Sequence, residues 1–224
     1  MANKEHFNWS DVESTADWGL LGYWIGDRVQ ERVPVVDGLG RLPNLARLKH
    51  FGAAASSSGG VEMYHLVGVT PEAMTLEQAF GGRPPVEVLH YGATERRQAY
   101  ERINGTGADR KVDYVMLGCP HYTLEQLWEA ARLIEGRKVH ADCELWIFTA
   151  RAIKSVADQN GTTKILEDAG ARVMTDSCSA MSRAVPEGTK VDVTTGLSRR
   201  ESHVFRAGAG IDEVRSLFDR DGTR

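Results

Sequence analysis

Two cysteines sit where an α/β chain places its chemistry. Cys119 follows the apolar run Val112–Leu117 and the glycine at 118, and is itself followed by Pro120 and His121. Cys178 follows Asp176 and Ser177 after a second short run, Ala171–Thr175. Apolar runs of this length read as buried strands. In open α/β sheets, ligands bind just beyond the carboxyl ends of the strands, so two strand-end cysteines point to one shared site. Cys119-Pro120-His121 permits three chemistries: a thiol activated by a neighbouring imidazole, a metal ligand, or a buried cysteine beside a surface histidine. Cys143 precedes Glu144–Phe148 at the opposite, amino end of a strand and reads as structural. The wide spacing of the three cysteines lacks the close ligand pair of a zinc site.

Other side chains offer polar chemistry. Arg151 follows Phe148-Thr149-Ala150 at a third strand end, and its planar fork suits a carboxylate or phosphate; a solvated arginine at a helix start is the plainer reading. Asp176 either orients a ligand or a water or serves as a turn residue or the N-cap of the following Ser179-Ala180-Met181. His65 lies within a strand at Val61–Val67, where core histidines are common. The stretch Ala53–Gly60 (AAASSSGG) has a linker's composition, and its small residues would equally let a ligand approach the backbone.

The elements that must position these groups alternate. After a polar arm over residues 1–17, Trp18–Ile25 (WGLLGYWI) is core or domain interface, with Gly19, Gly22 and Gly26 allowing close packing. A short strand lies in Val33–Gly40 and a helix in Pro43–Phe51. After the strand at Val61–Val67 come a helix through Met74–Phe80, a break at Gly81–Pro85, a strand at Val86–Tyr91 and a charged helix at Thr94–Ile103. From Val112 the pattern is strand, helix (Leu124–Glu135), strand (Glu144–Phe148), helix (Arg151–Gln159), short helix (Thr163–Ala169) and strand (Ala171–Thr175). Thr123 and Gln126 form a capping box for the first of these helices. Such alternation implies parallel pairing. The tail from Val191 is rich in arginine and glycine, with helical periodicity only in Ile211–Phe218.

The 224 residues, 42% hydrophobic and 26% charged, suit a soluble globular chain of one large or two small domains. A net charge of −4 gives no case for nucleic acid or an anionic membrane. No apolar run approaches the roughly 20 residues of a membrane span. An odd count of three distant cysteines is no disulfide framework. Cytoplasmic is the expected location.

Several segments together resemble one family. WGLLGYWIG, LKHFGAAASSSGGVEMYHLVGVTPEA, DYVMLGCPH with its T-x-x-Q helix start, and ILEDAGARVMTDSC are similar to aconitase X, in that family's order, over Asp17–Met181. The resemblance implies an aconitase-like α/β fold, a mostly parallel sheet with helices on both faces, incomplete relative to the family. It divides the chain into an arm (1–17), the α/β domain (18–190) and a divergent tail (191–224). It implies a hydro-lyase with iron or an iron–sulfur cluster, acting on a small hydroxy acid such as cis-3-hydroxy-L-proline or mevalonate 5-phosphate. By position, Cys119 and Cys178 match two of the three cysteine ligands expected, and Ser57, Ser58, His65 and Arg151 are the substrate-facing candidates.

The same resemblance implies what the chain needs from elsewhere: an amino-terminal portion with the third cysteine, and a small swivelling domain or subunit. The match is expected to stop at Lys190, as a frameshifted or truncated reading frame would make it. Missing neighbours are expected to leave the Trp18–Ile25 surface exposed and the chain prone to self-association. The competing classes are a non-catalytic remnant or scaffold subunit of the same fold, and a cysteine-nucleophile enzyme using Cys119 and His121.

Overall fold

The computed structural model describes residues 14–40, 42–103, 113–178 and 186–187, together with the backbone of 192–194. Most of the tail, including Ile211–Phe218, and most of the amino-terminal arm lie outside the described residues. Where one α/β domain was expected over 18–190, the chain divides into two compact units, Met1–Arg102 and Ile103–Arg224.

The first unit is built on a helix pair. Ser14 caps α1 (Thr15–Val29) in a reciprocal box with Asp17, and Asn44 caps α2 (Leu45–Gly59). The expected arm thus ends earlier than residue 17, because Asp17 belongs to the first turn of α1. A Cβ on Gly22 would lie 2.2 Å from the Phe51 carbonyl oxygen, and one on Gly26 would lie 2.4 Å from that of Ala55. Backbone against backbone is what these glycines permit. Trp18, Leu20, Leu21, Trp24 and Ile25 are all buried, so this stretch is not the exposed apolar surface expected. Among the described residues, exposed apolar side chains of this unit lie elsewhere, with Leu42, Leu45, Val86 and Val88 among the most exposed.

The Ala/Ser/Gly stretch is neither a linker nor a loop. It forms the last turns of α2, its small side chains admitting α1. Two short parallel strands flank α2 in the chain, β1 (Val35–Val36) before it and β2 (His65–Leu66) after it, paired Val35 to His65 and Val36 to Leu66. Helix α3 (Leu76–Phe80) is capped by Thr75 and Gln78. Val86–Tyr91 has strand composition but no strand conformation, and Val86 is 92% exposed. Alternation alone does not make a strand where none of the described residues pairs with it. On α4 (Ala93–Ile103), Arg96 bonds the buried Asp17 at 2.7 Å and Arg102 bonds Asp27 at 2.7 Å. Two of that helix's arginines therefore tie it to α1 rather than only to water.

The second unit is a four-stranded parallel sheet in the order β5-β4-β3-β6. Its strands are β3 (Tyr114–Tyr122), β4 (Glu144–Thr149), β5 (Ala171–Met174) and β6 (Asp192–Thr194). Strand β6 pairs with β3 from Tyr114–Asp192 to Met116–Thr194, so the expected tail begins with an element of the sheet. Helices α5 (Leu124–Ile134), α6 (Arg151–Gln159) and α7 (Thr162–Asp168) all contribute to one core. That core takes Val115 and Leu117, Leu145 and Ile147, and Ala171 and Val173 from alternate strand positions. The intervening residues Tyr114, Met116, Trp146, Phe148 and Met174 form a second cluster on the opposite face.

Two outcomes follow. Gly26→Ala forces α1 and α2 apart and costs about 1–3 kcal/mol; equal urea midpoints for the variant and the parent would contradict this packing. Burial, aided by Lys49, pushes the His50 imidazole down from 6.5 to about 4. The folded chain then binds fewer protons than the unfolded one in that window. Stability is full above about pH 6.5 and falls, by up to about 3 kcal/mol, as pH drops to about 4. A His50→Gln variant with the same pH dependence as the parent would show that another group is responsible.

Candidate functional site at the strand ends

Strand β3 carries more residues than its neighbour can match. Leu117 pairs with Ile147 and Tyr122 with Thr149, so five steps along β3 face two along β4. Three surplus residues must leave the ladder, and they come from Gly118-Cys119-Pro120-His121. The apolar run predicts a strand ending at Gly118; the strand instead bulges there and resumes at Tyr122. Gly118 has φ +110°, and a Cβ there would lie 2.3 Å from the Phe148 carbonyl oxygen. The far end of the bulge is pinned by the buried Thr149 hydroxyl, which donates to the Tyr122 carbonyl at 2.7 Å. Helix α5 then starts with the expected box between Thr123 and Gln126.

The neighbouring strand ends turn towards this bulge. Beyond β5, Asp176 takes φ +58°. Its carboxylate accepts from Arg151 Nε at 3.1 and 3.2 Å, and from the Thr175 hydroxyl at 3.0 Å. Arg151 and then Thr175 hold the Asp176 carboxyl below the usual carboxylate range. From β3, His121 Nε2 donates to the Ser177 carbonyl oxygen at 2.9 Å. The segments bearing Cys119 and Cys178 are thereby joined across the end of β4. Both cysteines are half-buried and neither is in a disulfide.

The structure thus gathers Cys119, Arg151 and Cys178 at one rim, with Asp176 and His121 as organising groups. Arg151 is already engaged by a carboxylate within the chain. Cys143 packs against the helical side of the core, away from this rim, as expected of a structural residue. The remaining candidates belong to the first unit. Ser57 is exposed on the last turn of α2, and the Ser58 hydroxyl donates to the Ala54 carbonyl at 2.9 Å. His65, on β2, lies 4.0 Å through Nδ1 from Glu72 and lines a cavity of about 610 Å³ with Trp24, Phe80, Arg83 and Tyr91. Thr149 and the Ser177 carbonyl are not legible as functional groups in the sequence, where Cys119-Pro120-His121 leaves an activated thiol, a metal ligand and a buried cysteine beside a surface histidine all open. A hydroxyl residue closing a strand beside a glycine bulge is the only local signal.

Thiolates are the donors an iron–sulfur centre takes, and two thiols at adjoining turns fit part of such a ligand set. Among the described residues no group of three or more His, Cys, Asp or Glu converges for a metal. This rim therefore offers a pair of donors and not a full set.

The fold is a parallel α/β sheet with cysteine-bearing turns at its carboxyl ends, and similarity to known proteins places it in an aconitase-like class. Residues 4–101 match the model of the aconitase X second domain and residues 112–198 that of the third. The chain belongs to the aconitase X family. It is 38% identical over 189 residues to cis-3-hydroxy-L-proline dehydratase of Pseudomonas aeruginosa, covering 82% of this chain and 32% of that protein. It is 36% identical over 166 residues to the phosphomevalonate dehydratase large subunit of Methanocaldococcus jannaschii, covering 74% and 40%. The crystal structure of Thermococcus kodakaraensis aconitase X (holo-form) superposes with a TM-score of 0.78 at 26% identity, covering 91% of this chain and 52% of that one. The chain spans about a third to a half of the length of these relatives. The family match continues to residue 198, so the expected stop at Lys190 is overturned. No described helix is long and apolar enough to cross a membrane.

Gly118→Ala would place a methyl group against the Phe148 carbonyl in a backbone region that L-residues avoid. Loss of about 2 kcal/mol or more, with raised reactivity of Cys119 towards iodoacetamide, is the expected result. Unchanged stability and alkylation rate would contradict the bulge.

Proposed function

We propose that this chain supplies the strand-end thiolates of an iron-dependent hydro-lyase of the aconitase X type, acting on a small hydroxy acid. The observation that carries the reading is the union of the Cys119 and Cys178 turns through His121 and Ser177. Cys119 and Cys178 would hold the iron or iron–sulfur centre, which when bound acts as a Lewis acid towards a leaving hydroxyl. The rest of the ligand set comes from polypeptide that this chain does not span, and the relatives named as large subunits favour a small-subunit partner as well.

The chain's own residues then bind and orient. Arg151 engages Asp176 through Nε and one terminal nitrogen. Its other terminal nitrogen keeps two N–H donors for a substrate carboxylate. Asp176 holds the guanidinium plane in place. Ser57, Ser58 and His65 are assigned to the substrate by their place in the family-like segment, and His65 has a cavity beside it. The thiol-nucleophile reading is weaker, because His121 commits Nε2 to the Ser177 carbonyl.

Iron and acid-labile sulfide per chain, after anaerobic purification, test the proposal. The chain is prepared alone and co-expressed with the remaining portion of a family member. Iron is expected in the parent under at least one of these conditions and absent from both Cys119→Ser and Cys178→Ser. Iron retained in either variant, or absent from the parent throughout, would overturn the assignment; the second result would mark a remnant that kept its fold.

A further inference from the structure

Strands β3 and β5 are not neighbours: β4 lies between them. Two strand spacings separate their backbones by roughly 10 Å. Two turns that far apart have no ladder bonds to fix them relative to each other. The bond from His121 Nε2 to the Ser177 carbonyl, at 2.9 Å, spans that gap. His121 is two residues beyond Cys119, and Ser177 directly precedes Cys178. A carbonyl only accepts, so Nε2 carries the proton.

A second tie joins the ends of β4 and β5, from Arg151 to Asp176. Its side chains are 80% and 52% exposed, so water and salt weaken it. The His121 bond is partly buried and joins the two thiol-bearing turns directly.

We infer that His121 is a positioning residue that holds Cys119 and Cys178 as a pair by clasping the backbone of the β5 turn across β4. The inference rests on the reading of these two cysteines as a ligand pair, and a metal-free probe separates the two. Phenylarsine oxide is bound tightly only where two thiols can reach one arsenic, each sulfur replacing an oxygen substituent with release of water. The parent is the full chain carrying Cys143→Ser, so that only the two rim thiols remain.

In the parent, one arsenical per chain is captured, and capture is lost in Cys119→Ser and in Cys178→Ser. His121→Leu removes the clasp while keeping bulk, and weakens capture by about tenfold, the worth of one hydrogen bond. His121→Gln places an amide donor at similar reach and restores capture to within about threefold. His121→Asn, whose shorter amide stops short of Ser177, behaves like the leucine variant and decides the matter if that variant does not fold by circular dichroism. Equal capture by the parent and the folded variants overturns the inference alone. A parent that captures no arsenical overturns the ligand-pair reading and the inference with it.

Discussion

Five residue steps on β3 facing two on β4 is the constraint on which the strand-end rim depends. A parallel ladder cannot absorb three extra residues in plane, so they must project. They project at the carboxyl end because the pairing upstream, from Tyr114–Glu144 to Leu117–Ile147, is regular and buried. Gly118 makes the exit possible at a point where the Phe148 carbonyl leaves no room for a side chain. Thr149 closes the bulge by bonding the Tyr122 carbonyl, which would otherwise lie buried without that donor. The chemistry-bearing residues Cys119 and His121 are thus carried, half-buried, to the rim by the register of the sheet beneath them.

The first unit relies on a different constraint, the close approach of α1 and α2. Gly22 and Gly26 remove side chains where the helices touch, and the alanines of α2 do the same from the other side. Aromatic side chains fill the space around that contact, with Trp18 edge-on to Phe51 and Phe51 edge-on to Tyr64. The buried Asp17 serves twice, closing the Ser14 cap and accepting from Arg96. Its burial is tolerated because both of its oxygens have partners.

Local signals carried much of this architecture. Helix α5 follows from its periodicity and its Thr123–Gln126 box, α6 and α7 from periodicity on either side of the Asn160-Gly161 break, and the parallel pairing from the alternation of strands with helices. What was not legible depends on residues distant in sequence. Ala53–Gly59 has a linker's composition, and only contact with α1 explains why it is helical and small. Val86–Tyr91 alternates like a strand but finds no partner strand among the described residues. The extension of β3 past Gly118 is set by the length of β4. The partner of His121 is a backbone carbonyl 56 residues away, which no side-chain pattern announces. Cys119 and Cys178 are legible as strand-end residues of one shared site; the bond that joins their turns is not.

The proposed ligand pair requires that two turns separated by a whole strand bring their thiols together. Intramolecular bridging by dibromobimane, with the product located by peptide mass mapping of the folded chain, tests it most directly. A bimane bridge between the peptides bearing Cys119 and Cys178, and none to Cys143, is the expected product. Single adducts at Cys119 and Cys178 with no bridge between them would contradict it.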